Sequence, residues 1–353
     1  MATLYAVIMA GGRGERFWPL SSEEVPKPFV PLLGPTTLLQ DAVARLHPLI
    51  PPDRIYVSIG AAHEPIARRQ LPGLPAENFI VEPVGRDTSA CLGYSALHLE
   101  RRDPDALMIA LPADHHVDNT AAYQRTLMKG VSALQGATAV VFGIQPVRPD
   151  TGFGYVQAEK PAIQADGWPV LRFVEKPDLA TAQGYLRAGN FFWNSGIFLW
   201  ANRTLLALFQ RHMPDTYEGL NSLREHLGPG GSADARMRIF SGLRRISIDF
   251  GILEKAGGLR LIPAGFGWDD IGNWASLARA LPADETKNVS SGPCFLLESS
   301  DCIAYSDTGT IAAFGVSGLV LVHAHGRVLV CPRERASDLK KLVAALSPAD
   351  KSY

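Results

Sequence analysis

Several residues near the start of the chain have the types and spacing needed to hold phosphate. Met9-Ala10-Gly11-Gly12-Arg13-Gly14-Glu15-Arg16-Phe17-Trp18-Pro19-Leu20 carries an apolar run into a glycine-rich loop bearing two arginines. Glycines let the backbone approach a phosphate chain, and exposed N–H groups form an anion nest. Arg16 adds a planar fork of donors suited to phosphate oxygens. The spacing G-G-x-G-x-R is neither the G-x-G-x-x-G of a dinucleotide site nor a Walker A loop. In Pro26-Lys27-Pro28-Phe29 two prolines hold one lysine in extended backbone, a stiff mount for a point charge. Asp114 follows the apolar run Leu107–Leu111 and a Pro-Ala turn, and Asp270 lies in a glycine-flanked turn between Trp268 and Trp274. Two aspartates far apart in sequence, both on turns, suit Mg²⁺, which takes a few carboxylate oxygens together with substrate phosphate oxygens. A helix N-cap is the alternative for Asp114, and Asp269 is the alternative to Asp270. Glu175-Lys176-Pro177 ends another strand. The turn before Pro177 can bring the lysine to a sugar phosphate and the glutamate to sugar hydroxyls, with a surface ion pair as the alternative. Glu82 follows Phe79–Val81, and its carboxylate can accept both guanine N1–H and N2–H₂. A solvated strand-end charge is the equal alternative.

These stretches resemble the sugar-1-phosphate nucleotidyltransferases, and among them the mannose-1-phosphate guanylyltransferases. That family opens with G-G-x-G-x-R-[LF]-W-P-L-S followed by P-K-x-F, and the chain has both, through Ser21 and Phe29. Further segments agree in order: 82–88 (EPVGRDT), 111–115 (LPADH), 151–155 (TGFGY), 173–177 (FVEKP), 193–196 (WNSG), 247–250 (SIDF), 268–274 (WDDIGNW), 328–335 (VLVCPRER) and 338–341 (DLKK). The resemblance implies transfer of GMP from GTP to α-D-mannose 1-phosphate, giving GDP-mannose and pyrophosphate. It implies that Asp114 and Asp270 hold Mg²⁺, with Asp270 chosen over Asp269 by counting to the glycine of D-x-G. It places Gly11, Gly12, Gly14, Arg16, Lys27, Glu82, Gly85, Arg86, Thr88 and Asp114 at the nucleotide, and Gly154, Glu175, Lys176 and Asn194 at the sugar phosphate. The catalytic set it implies is Arg16, Lys27, Asp114, Lys176 and Asp270. Two positions depart from the family: Asp87 stands where Asn is usual, and Pro28 where Gln is frequent. The first bears on how the base or ribose is held. Other sugar phosphates or dTTP, and a catalytically silent regulatory subunit of the same fold, are the alternative readings. Asp114-His115-His116 also spells the three-residue motif of a manganese phosphoesterase family.

The elements that must position these residues read as follows. Short apolar runs at Tyr5–Ala10, Ile55–Ile59, Phe79–Val81, Leu107–Leu111 and Ala137–Gly143 alternate with helical patterns at Leu38–Leu46, Ile66–Gln70, Thr88–Arg101 and Tyr123–Leu134. That alternation predicts an α/β fold with a doubly wound, mostly parallel sheet of Rossmann-like type, and ligands belong at the carboxyl ends of its strands. Tyr155–Ala158 and Val170–Glu175 read as an antiparallel insertion, and Gly196–Trp200 as a return to the sheet before a helix at Thr204–His212. From about Asn288 the chain becomes a string of short β runs closed by a helix at Ala336–Leu346. The expected division is a nucleotidyltransferase domain over 1–284 and a small β-rich domain over 285–353. By the resemblance the second is a short left-handed β-helix that packs on the catalytic domain or on a second subunit, giving a homodimer.

Composition narrows the classes. The 353 residues are 46% apolar and 20% charged, which excludes global disorder and fibrous or disulfide-scaffold chains. With 34 basic and 35 acidic residues the net charge is −1, without the basic excess of a general nucleic-acid binder. No stretch approaches the roughly 18 apolar residues of a membrane span, and the N-terminus lacks a basic signal-peptide region. The 4 cysteines form no C-x-x-C pair and read as reduced thiols. A cytoplasmic protein without membrane contact is expected. The chain stops soon after its last helix, which predicts no fused isomerase domain and no isomerase activity.

Overall fold

Tyr5, Ala6, Val7 and Ile8 are all buried, yet they do not share one core. Tyr5 and Val7 belong to one apolar cluster, and Ala6 and Ile8 to another. Successive strand residues point to opposite faces, so a run buried at every position has a core on both sides. The computed structural model describes residues 2–12, 15–159, 167–228 and 230–347. Gly14, assigned above to the phosphate loop, lies outside them.

The strands in question are β1 (Leu4–Met9), β2 (Ile55–Gly60), β3 (Phe79–Glu82), β4 (Leu107–Pro112), β5 (His116–Val117), β6 (Ala139–Ile144), β7 (Gly154–Ala158), β8 (Trp168–Glu175), β9 (Phe191–Ala201), β10 (Leu259–Ala264) and β11 (Trp268–Asp269). All but β5 and β11 form one nine-stranded sheet in the order β3-β2-β1-β4-β9-β6-β10-β8-β7. β1 to β4 pair in parallel, and β10 runs parallel to β6. β9 runs against β4 and β6, and β8 against β10 and β7. The helices at Asp87–Arg102, Asn202–His212, Pro214–Arg224 and Ala233–Gly242 pack on one face. Those at Leu38–Ala44, Glu64–Gln70, Thr120–Ala133 and Leu179–Ala188 pack on the other. The doubly wound α/β architecture is as expected. The insertion is antiparallel within itself, and its strands extend the main sheet.

Several elements went unread, among them the helix Leu179–Ala188, the helices at 214–224 and 233–242, strand β10 and the short strands β5, β11 and β12. The helices at 214–224 and 233–242 bury few apolar side chains, chiefly Leu220, Leu223, Ala235 and Phe240, too few to print a helical period. β10 contains Pro263, which ordinarily argues against an interior strand. Its pairing with β8 ends at Arg260 and Leu261, so the ladder on that side stops before the proline.

The C-terminal strands are β12 (Val289–Ser291), β13 (Cys294–Leu297), β14 (Ile303–Ser306), β15 (Ile311–Phe314), β16 (Leu319–Ala324) and β17 (Arg327–Pro332). Consecutive strands from β12 to β16 fall alternately in two sheets, and each pairs in parallel with the strand after next. That is the stacking of a coiled β-helix. β17 turns back antiparallel on β16, and a helix follows at Leu339–Ala345. This β-rich part is packed on the rest of the chain: Phe17, Trp18, Leu20 and Trp274 share one buried cluster with Ile303, Val320, Ala336, Leu339 and Val343. All four cysteines are free. Among the described residues no helix is long and apolar enough to cross a membrane.

Candidate active site

Parallel pairing of β1 and β4 sets Met9 opposite Pro112, so the loops leaving both strands emerge side by side. One loop carries Gly11 and Gly12, the other Asp114, and the Ala113 N–H donates to the Met9 carbonyl at 3.2 Å. A second, two-stranded sheet completes the arrangement. β11 pairs antiparallel with β5, setting Asp269 opposite His116, and this brings Asp270 to the side of Asp114. The resulting cleft, about 330 Å³, is lined by Gly11, Gly12, Arg16, Lys27, Asp114 and Asp270, with His115 and Lys340 among the remaining wall residues. Gly12 has φ of +132°, a conformation that only glycine adopts readily. Among the described residues, a Cβ at either Gly11 or Gly12 would meet no atom within 4 Å beyond its chain neighbours. Packing therefore does not account for the glycine at Gly11, whereas a ligand laid against the backbone would.

Lys27 is 7% exposed and opens a short 3-10 helix, Lys27–Phe29, which corrects the extended backbone expected from its flanking prolines; only Pro26 before it and Val30 after it are extended. The Lys27 Nζ donates to Asp114 Oδ2 at 2.9 Å and to the backbone carbonyl of Asp270 at 2.6 Å. Burial pushes the Asp114 carboxyl up, but the Lys27 ammonium, His115 and the Lys27 hydrogen bond outweigh it and hold its pKa below the usual carboxylate range. Asp114 is therefore ionised and paired, and no helix N-cap role applies to it. Burial, with Asp269 and Asp114 adding their charge, pushes the Asp270 carboxyl up to about 6 against the pull of Lys27 and Arg279. A buried carboxylate whose pKa is raised by neighbouring carboxylates is relieved by a cation. Carboxylate oxygens are the donors a hard divalent ion prefers, so the residues present fit such an ion.

Asp269 and Asp270 differ in their partners. Asp269 is 9% exposed and receives a two-point ion pair from Arg279. It also accepts the Ile271 N–H at 2.8 Å. Ile271 has φ of +44°, a costly conformation for a β-branched residue. Asp269 thus pins the strained turn, and Asp270 is the carboxylate that faces the cleft.

A second group lies at the insertion. β7 sets Gly154 opposite Glu175, and β7 also pairs with β9 beside Asn194. A Cβ on Gly154 would come within 2.2 Å of Glu175 Oε2 and 3.4 Å of the Asn194 Cβ. Lys176 adopts φ of +47°, which breaks the strand alternation and lets its Nζ pair with Glu175. Asn194 donates to Asp249 Oδ1 at 2.8 Å, and burial together with the Glu175 charge raises the Asp249 carboxyl to about 6. Gly154, Glu175, Lys176 and Asn194 therefore do come together, but they do not line the cleft of Asp114. Phe153 links the two regions, lying 5.1 Å from Trp193 and 5.4 Å from Trp268 between ring centres.

The third group is not presented as expected. Glu82 is 7% exposed, its Oε1 accepts from Ser58 at 3.0 Å, and burial raises its pKa. Its burial excludes the solvated strand-end charge offered as the alternative reading. Arg86 donates to the Ser241 carbonyl, and Thr88 Oγ1 accepts the Ile248 N–H at 2.8 Å. Both tie the start of the 87–102 helix to the segment at 241–248, and neither lines the cleft; Gly85 does not line it either. Asp87 has φ of +67°, and its Oδ1 accepts the Thr88 N–H at 2.7 Å. Asp, like Asn, is among the non-glycine residues best suited to that geometry.

His115 and His116 diverge. His115 Nδ1 accepts from Trp268 Nε1 at 3.1 Å, and burial pushes its pKa down to about 4. His116 pairs instead with Asp118 at 2.7 Å. Among the described residues no group of three His, Cys, Asp or Glu side chains is disposed to hold a metal, as the Asp-His-His phosphoesterase reading would require.

Residues 5–287 match the family model described as Nucleotidyl transferase. The chain belongs to that family. Residues 292–346 of this nucleotidyltransferase match a second model, the MannoseP isomerase/GMP-like beta-helix domain. It is 34% identical to the xanthan biosynthesis protein XanB of Xanthomonas campestris pv. campestris (strain ATCC 33913) over 100% of this chain and 75% of that protein. It is also 34% identical to a mannose-1-phosphate guanylyltransferase of Klebsiella pneumoniae, over 99% of this chain and 75% of the relative. A crystal structure of a mannose-1-phosphate geranyltransferase from Thermus thermophilus superposes with a TM-score of 0.89 at 37% identity, covering 97% of this chain and 98% of that one.

Sequence reasoning did not assign roles to Asp249, His115 or Lys340. Asp249 lies in 247–250 and Lys340 in 338–341, both noted only as family-like segments. Their chemistry appears when the fold sets them beside Asn194 and in the cleft wall.

Proposed function

We propose that the protein transfers GMP from GTP to α-D-mannose 1-phosphate, releasing pyrophosphate and forming GDP-mannose, in the cytoplasm. The observation that carries this reading is the convergence of Asp114, Asp270, Lys27 and the Gly11–Gly12 loop in one cleft. A phosphate oxygen of the sugar phosphate attacks the α-phosphorus in line. A new O–P bond forms, the bond from the α-phosphorus to the bridging oxygen breaks, and pyrophosphate leaves with the electron pair. The attacking group is already an anion, so no protein nucleophile or base is needed. The protein's task is to bring two mutually repelling anions together and to neutralise charge that moves onto pyrophosphate. In this reading the Gly11–Gly12 backbone, Arg16 and Lys27 bind the triphosphate, and Lys176 with Glu175, Gly154 and Asn194 binds the sugar phosphate. Asp114 and Asp270 would hold Mg²⁺, which when bound screens the phosphate charges. Residues 1–284 carry this chemistry.

The test is pyrophosphate release across a matrix of nucleoside triphosphates and sugar 1-phosphates. GTP with mannose 1-phosphate should be turned over fastest. A faster pair, such as dTTP with glucose 1-phosphate, would reassign the substrates, and no release from any pair would refute the transferase reading of the site.

A further inference from the structure

The cleft wall includes one residue from outside the nucleotidyltransferase region: Lys340. It lies within the stretch that matches the β-helix model, 292–346, whereas the other lining residues fall within 5–287. Its backbone is firmly placed. The neighbouring Leu339 is 4% exposed, Val343 9% and Ala336 0%, and all three share a buried cluster with Phe17 and Trp18. The helix of Lys340 therefore packs directly behind the turn that carries Arg16.

Local structure does not explain a lysine here. The first turn of this helix has no acidic residue, and a cation near a helix start opposes the helix dipole. Lys341 is relieved by Asp338, at 2.9 Å. Lys340 makes no hydrogen bond or ion pair of that kind among the described residues, and it projects into the cleft. Lys27 is already committed to Asp114, which leaves Arg16 and Lys340 as the lining cations without a carboxylate partner among the described residues.

We infer that Lys340 binds the β- and γ-phosphates of the nucleoside triphosphate, the part that departs as pyrophosphate, so that the C-terminal domain supplies a substrate-binding residue to the transferase cleft. This rests on the reading of the cleft as the triphosphate site. Placement beside the Arg16 turn, away from the Glu175–Lys176 group, selects the leaving end of the triphosphate over the sugar phosphate. A charge-assisted contact of this kind contributes about ten- to a hundredfold in binding.

The experiment compares wild type, Lys340→Met and Lys341→Met in the full chain with Mg²⁺ present. Binding of GTP and of inorganic pyrophosphate is measured by calorimetry, and KM for each substrate in both reaction directions. Lys340→Met should weaken GTP and pyrophosphate about ten- to a hundredfold, leave the KM for mannose 1-phosphate unchanged, and keep the wild-type melting temperature. Lys341→Met should bind as wild type. Equal binding of both ligands by wild type and Lys340→Met would overturn the inference while leaving the transferase reading intact. A rise in KM confined to mannose 1-phosphate would also overturn it. Failure of the wild-type protein to bind either ligand would instead overturn the triphosphate reading of the cleft.

Discussion

Asp269 and Asp270 are neighbours with different work. The first is spent on Arg279 and the Ile271 N–H, and the second faces the cleft with Asp114. Asp270→Asn and Asp114→Asn should each lower kcat about a hundredfold or more with folding intact. The double variant should cost little more than the worse single one, because the two act as a unit. Asp269→Asn should instead lower stability by about 1–3 kcal/mol, since it loosens a charged hydrogen-bond pair whose arginine is partly screened by solvent. It should keep much of its turnover. Denaturant melts and turnover for the three single variants separate these outcomes. Loss of turnover at unchanged stability in Asp269→Asn, with a near-normal Asp270→Asn, would exchange the two roles.

At the scale of elements, the sheet places chemistry by register. Gly154 stands opposite Glu175 because β7 pairs with β8, and a methyl there would collide with the Glu175 carboxylate. Gly154→Ala should therefore displace Glu175 and raise the KM for mannose 1-phosphate at least about tenfold, while calorimetric GTP binding stays at the wild-type value. Weakened GTP binding with an unaltered sugar phosphate KM would contradict this placement. The helix at 87–102 carries a different signal. His98 lies edge-on to Tyr94 at 4.8 Å, and its Nε2 is buried without a hydrogen-bond partner among the described residues. Burial, helped by Arg101 and Arg236, pushes its pKa down to about 4. Above about pH 6.5 the ring is neutral in both the folded and unfolded chain. Between that pH and about 4 the unfolded chain takes up a proton that the folded chain refuses, so stability falls as the solution is acidified. The full effect is about 3 kcal/mol. His98→Phe keeps the ring and removes the proton site, so its denaturant midpoint should fall less between pH 7 and pH 5 than that of wild type. An identical decline in both proteins would show that His98 is not the group responsible.

Across the whole molecule, the β-rich part braces the loop that bears Arg16. Trp274 Nε1 donates to the Trp18 carbonyl at 3.0 Å, and Tyr305 lies 5.3 Å from Trp274 between ring centres. The N-terminal loop, the Asp270 turn and the C-terminal coils thus share one buried cluster. Leu339→Ala removes a buried anchor of the last helix and should cost about 2–4 kcal/mol. Because the same helix forms part of the cleft wall, it should also raise the KM for GTP. A stability loss with nucleotide KM unchanged would mean that the C-terminal helix and the cleft are not coupled.

The sequence by itself determined the kinds of group available and the strand ends that carry them. The Gly11–Gly12 loop, the Lys27 charge between prolines and Asp114 after an apolar run were legible because each is local: its chemistry is written within a few residues, although the prolines led to extended backbone where Lys27 opens a 3-10 helix. The alternation of strands and helices was legible for the same reason, except where few buried side chains or Pro263 blurred the period. Tertiary structure decided which side chains are free to act. Lys27 reaches Asp114 across 87 residues and the Asp270 carbonyl across 243, and no local pattern encodes such a pairing. Burial beside Ser58 took Glu82 out of solvent, and helix tethering took up Arg86 and Thr88. Arg279 engaged Asp269, and packing of Leu339 behind Phe17 brought Lys340 to the cleft. A side chain's availability depends on what the rest of the chain has already bound, and that is fixed only when distant segments meet.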